Sequence, residues 1–270
     1  GIETIPEFFN ANLAQHVKKE YGCADIITFN NSFANIDDLH DITAGIRELL
    51  APNGMFVLET GYLLDLLQKT VFDNIYHEHI SYFSVKPLVT FFKKKGMELI
   101  DLDRVETKAG SIRCFIQHSN GPFKKASSIN ETTQLEEDLG IFKPETLKDF
   151  NAKIKILKNE TINLLKNLKA RGKKIIGYCA SVGVTSVLYN FKINEDLIDC
   201  IVDDNPDKHF LYSPGKHIPV LPSKEIYVKN PDYIIILAWQ YSNQIMSKHK
   251  KYLDQGGNFI LLLPYFRVIN

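Results

Sequence analysis

Two imidazoles, a carboxylate and two phenols fall within the short run Ile75-Tyr76-His77-Glu78-His79-Ile80-Ser81-Tyr82-Phe83. Proton transfer near neutral pH needs groups of this kind, with a carboxylate at hand to orient an imidazole. In an extended chain His77 and His79 point to one face and could share a metal ion. Spacing assigns no third ligand, and a loop whose histidines are satisfied structurally fits the same residues.

A second stretch is Ile175-Ile176-Gly177-Tyr178-Cys179-Ala180-Ser181-Val182-Gly183, read as strand, small-residue loop and helix start. Small residues let a phosphate approach backbone N–H groups at a helix N-terminus. Five residues separate Gly177 from Gly183, so this is not the GxGxxG dinucleotide fingerprint. Asp203 and Asp204 end the following strand, where an acidic residue can reach a ribose hydroxyl. Tight packing of helix on sheet is the structural alternative. A third stretch, Asp204–Pro219, sets Lys208, His209, Lys216 and His217 among turn residues. Such a loop suits a phosphate, or is simply a solvated surface.

The elements that must position these groups alternate. Pro6 opens a helix carrying Phe8, Phe9, Leu13 and Val17, and Gly22 stops it. Ala24–Phe29 is a strand. Asp37 and Asp38 open a second helix, Pro52-Asn53-Gly54 is a turn, and Met55–Leu58 is a strand. This alternation marks a parallel α/β sheet. Helix Pro87–Lys95 follows, then strands Met97–Val105 and Ser111–His118, a hairpin that closes the sheet with an antiparallel pair. Lys148–Lys169 is a long helix. From Lys173 strands recur at Lys174–Tyr178, Leu197–Val202, Tyr233–Leu237 and Asn258–Leu263, with a helix over Tyr241–Leu253. The fold class is α/β, with residues 1–120 forming one unit, 121–172 a helical connector, and 173–270 a small doubly wound domain.

The composition narrows the function. The chain has 270 residues, 44% hydrophobic, with 32 Lys+Arg balancing 32 Asp+Glu. At about 150 residues per domain this allows one large domain or two modest ones. Zero net charge argues against a nucleic-acid binder, and no apolar run approaches the roughly 18 residues of a membrane span. Cys23, Cys114, Cys179 and Cys200 are scattered without a CxxC pair. That pattern fits reduced thiols in a cytoplasmic protein better than a zinc site or a disulfide scaffold.

Taken together, the motifs resemble one family, the S-adenosylmethionine-dependent C-methyltransferases that act on nucleotide-linked keto-sugars. The matching residues are Gly1-Ile2-Glu3-Thr4-Ile5, Ala24-Asp25-Ile26-Ile27 with Asn30-Asn31, Glu59 with Tyr62, and Phe72-Asp73 with Ile75-Tyr76-His77-Glu78-His79. They continue through Gly110-Ser111-Ile112-Arg113, Gly177-Tyr178-Cys179-Ala180-Ser181, Asp203-Asp204-Asn205-Pro206 with Lys208, Ser213-Pro214-Gly215 with His217-Ile218-Pro219, and Leu237-Ala238-Trp239. The resemblance implies an incomplete methyltransferase-type Rossmann-like sheet over 1–120 and a second Rossmann-like, sugar-nucleotide-binding domain over 173–270. It further implies that an N-terminal zinc module and the glycine-rich cofactor loop lie outside this chain. A chain starting at Gly1 is thus expected to be a fragment of a longer protein, the alternative being a protein that has lost its cofactor-binding half, with zinc confined to the missing module and none in this chain. Two positions depart from the family. Asn35 stands where a histidine is usual, and Asn is no base near pH 7; Cys179 replaces a common loop glycine.

The resemblance also implies roles. His79 is the base, Glu78 orients it or binds a sugar hydroxyl, and Tyr76 donates to the developing enolate oxygen or relays the proton. Asn30, Asn31 and Phe33 lie on the S-adenosylmethionine side. Ser111 and Arg113 face the substrate, although Arg113 equally suits a structural ion pair. Ala180, Ser181, Gly183, Asp203, Lys208 and His217 take the sugar nucleotide. The expected partner is a nucleotide-linked sugar, with neither nucleic acid nor membrane; the oligomeric state is not legible. A non-catalytic sugar-nucleotide-binding module is the alternative, and a nicotinamide oxidoreductase is a third reading resting on one βαβ unit with a terminal Asp.

Overall fold

The computed structural model describes all 270 residues. They form two compact units, Gly1–Asp65 with His77–Lys143, and Leu66–Tyr76 with Pro144–Asn270. The 121–172 stretch is divided between them. Its helix Ser128–Asp138 belongs to the first unit and its long helix Pro144–Ala170 to the second.

The first unit is built on β1 (Ala24–Asn30), β2 (Leu50–Gly61), β3 (Met97–Val105) and β4 (Ser111–His118), in the order β1-β2-β4-β3. β1 and β2 are parallel, and β4 runs antiparallel to both its neighbours. Alternate residues Phe56 and Leu58 of β2, and Ile112, Cys114 and Ile116 of β4, are buried, as a pleated strand with one face on a core requires. The first helix runs over Ala11–Tyr21 rather than from Pro6. The Asn10 side chain accepts from Leu13 N at 2.8 Å and so fixes the start at Ala11. Pro52-Asn53-Gly54 is not a turn between elements. Between Ala24↔Leu50 and Ile26↔Met55 the register slips, so these residues form a bulge inside β2.

The second unit carries β5 (Ile175–Tyr178), β6 (Ile201–Asp203), β7 (Val220–Pro222), β8 (Tyr233–Ile236), β9 (Asn258–Leu261) and β10 (Arg267–Ile269), in the order β10-β9-β8-β5-β6-β7. All pairs are parallel except β10 on β9. Counted from β5 this is the 3-2-1-4-5-6 arrangement of the doubly wound fold, whose order reverses between β5 and β8. Continuous buried runs such as Ile234, Ile235 and Ile236 fit a sheet covered on both faces. The two edge strands are three residues long and were not legible in the sequence. The single helix read over Tyr241–Leu253 is two, Ser242–Lys248 and Lys250–Asp254, parted at His249.

Candidate active site

In the first unit the sheet ends on Asn30, which is in register with Glu59. Asn31 turns the chain at φ 54°, a left-handed conformation that Asn tolerates. Its N–H donates to the Glu59 carbonyl at 2.7 Å. Its Oδ1 is buried without a partner. Glu59, itself buried, accepts from Arg113 Nε and Nη2 at 3.0 and 2.7 Å and from Thr107 Oγ1 at 2.8 Å. Burial pushes the Glu59 carboxyl up, but these bonds outweigh it and hold it below its ordinary range. Arg113 is therefore in the ion pair that its sequence also allowed. Ser111 is fully buried and donates to the Thr107 carbonyl at 3.0 Å. Gly110 has a similarly local reason. At φ 139° a Cβ there would lie 2.3 Å from Asp65 Cβ, and Asp65 is held in a bidentate pair with Arg104. Phe33 is fully buried against Phe29, Phe83 and Phe92, a core position.

The Ala34 carbonyl accepts from both Ile80 N and Ser81 N, at 2.9 and 3.1 Å. This anchors the run after His79 to the turn that follows β1, the turn that also holds Asn35. His79 is half-buried, its ring edge-on to Tyr82 at 6.4 Å, while His77 and Glu78 are exposed. Tyr76, half-buried, is the last residue of the Leu66–Tyr76 segment of the second unit. No group of three or more His, Cys, Asp or Glu side chains is placed to hold a metal ion.

In the second unit Ala180, Ser181 and Lys208 line one cavity of about 180 Å³, walled by Thr185, Leu211 and Tyr212. It lies beside the start of helix Val182–Phe191, whose Ser181 cap makes no side-chain hydrogen bond. Asp203 is buried and outside the cavity lining, but it ties together the loops that carry Ala180 and Lys208. Its Oδ2 accepts from Ala180 N at 2.7 Å and Lys208 Nζ at 3.3 Å, its Oδ1 from Asn205 N at 2.8 Å. Burial raises the Asp203 carboxyl, and these donors more than reverse the effect. Its oxygens are thus committed to the two loops it ties together. Cys179 stands at φ 78°, where a glycine would be unstrained, and burial lifts its thiol to about 11. His217 is exposed on the turn Ser213–Ile218, outside the cavity lining. That turn folds onto the helix. A Cβ at Gly215 would meet Tyr189 Oη at 1.9 Å, and Lys216 sits 5.0 Å over the Tyr189 ring.

Gly183 does something the spacing did not suggest. A Cβ there would come within 2.7 Å of the Asp73 carbonyl oxygen, so the glycine admits the turn Phe72–Asn74 onto the helix. Phe72 stacks on Phe191 at 5.1 Å, and Ser186 Oγ donates to the Ile75 carbonyl at 2.8 Å. Asp73 is buried. Its Oδ2 accepts from Trp239 Nε1 at 2.9 Å and Gln240 Nε2 at 3.3 Å, while Oδ1 has no partner. Burial pushes this carboxyl up to about 6 against those two bonds and one from its own backbone N–H. Ionising it in the folded chain costs about 3 kcal/mol relative to the unfolded chain. Sequence reading passed over Asp73 as a site residue, because its partners lie 166 and 167 positions away.

Residues 106–264 match the family model described as the C-methyltransferase C-terminal domain, and residues 3–102 match a methyltransferase domain. The chain belongs to the C-methyltransferase family. The seam between the two matched regions falls in the β3–β4 hairpin, inside the first unit. The C-methyltransferase NovU of Streptomyces niveus is 31% identical over 270 residues, which is the whole of this chain and 64% of that protein. The chain thus spans just under two-thirds of that relative's length.

Beside the cavity, at the ends of β5 and β6, lies a further polar network. Tyr178 Oη donates to Asp204 Oδ2 at 2.9 Å, so it must accept from His249 Nε2–H at 3.0 Å. His249 Nδ1 is then free to accept from Tyr227 Oη at 3.1 Å. Lys248, Ser223 and Tyr178 outweigh burial and bring Asp204 down to about 2. Burial, with Lys248 nearby, lowers the His249 pKa and favours the neutral ring. The unfolded chain therefore takes up this proton at a higher pH than the folded chain. The contribution of His249 to stability should therefore fall as pH drops through the ordinary histidine range, opposite in sign to that of Asp73, whose raised carboxyl gains stability over the same range. Denaturant midpoints of wild type and His249→Phe between pH 8 and 5 check this, the difference between the two being expected to shrink as pH drops.

Proposed function

We propose that this protein transfers a methyl group from S-adenosylmethionine to a carbon beside the ketone of a nucleotide-linked sugar. The observation that carries the reading is the gathering of Ala180, Ser181 and Lys208 around one cavity at a helix start on a doubly wound sheet. Family membership supports the chemistry. The backbone N–H groups after Ser181 and the Lys208 ammonium would hold the pyrophosphate, with His217 outside as a further cation when protonated.

S-adenosylmethionine, when bound, supplies the methyl as an electrophile on positively charged sulfur. Asn30 and Asn31 would hold it, the unpartnered Asn31 Oδ1 fitting a ligand N–H or O–H. His79 takes the proton from the carbon beside the ketone, and the C–H electrons pass into the enolate. Tyr76 donates to the enolate oxygen. Glu78 orients the imidazole or receives a sugar hydroxyl. The enolate carbon would take the methyl as the methyl carbon–sulfur bond breaks, its electron pair staying on sulfur in a neutral thioether, and the proton then leaves His79 for solvent. The four thiols are unpaired, which supports a reducing, cytoplasmic setting.

Calorimetry of this chain with dTDP, then UDP, tests the nucleotide assignment. One-site binding of either is expected, and no heat from both would overturn it. A second reading, a binding module without catalysis, draws on Asn35 in place of a base. Nucleotide binding without methyl transfer in the natural full-length protein would favour it.

A further inference from the structure

Glu59 takes part in no step of the mechanism, yet its two carboxylate oxygens are used differently. Both guanidinium bonds from Arg113, Nε at 3.0 Å and Nη2 at 2.7 Å, fall on Oε2. The Asp65–Arg104 pair of the same unit makes the ordinary fork instead, with Nε on Oδ2 and Nη2 on Oδ1. The arrangement at Glu59 leaves Oε1 to Thr107 Oγ1 at 2.8 Å and Asn31 Nδ2 at 3.4 Å. The backbone adds a second tie. Asn31 N donates to the Glu59 carbonyl at 2.7 Å and so holds the left-handed turn at φ 54°. A carboxylate only accepts, so it draws the Nδ2 end of the amide and turns Oδ1 the other way. That Oδ1 is buried and bonds nothing in the chain, a cost that a donor from a ligand removes.

We propose that Glu59 is a positioning residue for the methyl donor: it fixes the Asn31 amide with its oxygen toward S-adenosylmethionine, while Arg113 and Thr107 fix Glu59. The inference rests on the reading that Asn31 holds that cofactor. S-adenosylmethionine offers donors at its α-ammonium, its ribose hydroxyls and its adenine amino group, and Oδ1 accepts from one of them. Glu59 itself does not touch the ligand. Its bonds to Arg113 and Thr107 keep it ionised, so the orientation holds across the neutral range. An amide at position 59 reverses the arrangement. In Glu59→Gln the new oxygen must face Arg113, because a guanidinium only donates. The new NH2 then points at Asn31, whose amide flips to accept from it. The Nδ2 end of Asn31 now confronts the ligand's donor.

The test is calorimetry of the protein, with any chain that naturally precedes Gly1, against S-adenosylhomocysteine, the donor without its methyl group. Glu59→Gln should raise the Kd by about tenfold or more, the effect of a donor facing a donor. Asn31→Gly removes the amide and suits the left-handed turn, so it should fold and weaken binding by about the same factor. Because Glu59 acts through Asn31, the two effects should not multiply. Adding Glu59→Gln to Asn31→Gly should change the Kd by less than about twofold. In turnover, the KM for S-adenosylmethionine should rise in each variant while kcat at saturation moves less. An unchanged Kd in Glu59→Gln, or effects that multiply in the double variant, overturns the inference and leaves the reading of Asn31 intact. An unchanged Kd in Asn31→Gly, or no binding by wild type, overturns both. If Glu59→Gln fails to fold, Asn31→Gly decides alone, an unchanged Kd being the overturning result.

Discussion

His79→Ala, made in the protein with any chain that naturally precedes Gly1, should lower methyl transfer by about 10²–10⁴-fold, the range a positioned general base supplies. The bonds from Ile80 N and Ser81 N to the Ala34 carbonyl hold the residue in place, and its ring is half-buried rather than free in solvent. A base needs such a fixed ring more than it needs charge. Nucleotide-sugar affinity should change little, because the residues proposed to hold the pyrophosphate are in the other unit. His79→Gln, which keeps a hydrogen-bonding group but no basic nitrogen, should be nearly as inactive. His77→Ala, whose ring is exposed, should lose far less. Exchange of the substrate's acidic hydrogen with deuterated water, followed without methyl donor, reads the proton step directly. It should vanish in His79→Ala. Full transfer or undiminished exchange in that variant would assign the base elsewhere.

The parts of the fold that local chemistry controls were legible. The strands Met97–Val105 and Ser111–His118 follow from apolar alternation and the turn between them, and Asp38 declares a helix start that its bonds to His40 N and Asp41 N confirm. Elements whose limits depend on distant partners were misread. Pro52-Asn53-Gly54 has turn chemistry, yet pairing with β1 keeps it inside a strand as a bulge. His249 breaks a helix that periodicity runs through, its ring bonded to Tyr178 and Tyr227. The site divides in the same way. Ala180, Ser181 and Lys208 were found from residue type and come together around one cavity. Ser111 and Arg113 carry equally suggestive types, but their hydrogen-bonding capacity goes to Thr107 and Glu59. Gly183 suggested room for a phosphate, and the room is taken by the Asp73 carbonyl. Type and spacing show what a residue can bond; only the three-dimensional neighbours show what it has already bonded.

Glu136→Ala should destabilise the first unit by about 3–5 kcal/mol, because it leaves three buried donors without their acceptor. Glu136 is fully buried on helix Ser128–Asp138, in a stretch that reads as polar surface. Its Oε1 accepts from Tyr62 Oη at 3.0 Å and Val85 N at 2.6 Å, and its Oε2 from Lys86 N at 3.1 Å. Two of those donors are among the first N–H groups of helix Val85–Lys94, which has no capping side chain of its own. A carboxylate from 50 and 51 positions away therefore does the work of an N-cap, and the helix dipole favours its charge. Burial, with Glu136 close by, raises the Tyr62 phenol, which stays a donor at every working pH. Alanine would orphan two backbone donors and a phenol in a dry site, at about 1–3 kcal/mol for each one left unpaired, less any relaxation. Tyr62→Phe removes one donor and leaves the carboxylate its two others, so it should cost about 1 kcal/mol. Glu136→Gln, which keeps the shape but turns an amide N–H toward at least one donor, should fall between them. Denaturant unfolding of the three variants should rank them in that order. Near-identical midpoints for Glu136→Ala and wild type would mean that water replaces the carboxylate without loss, and that the helix start does not depend on it.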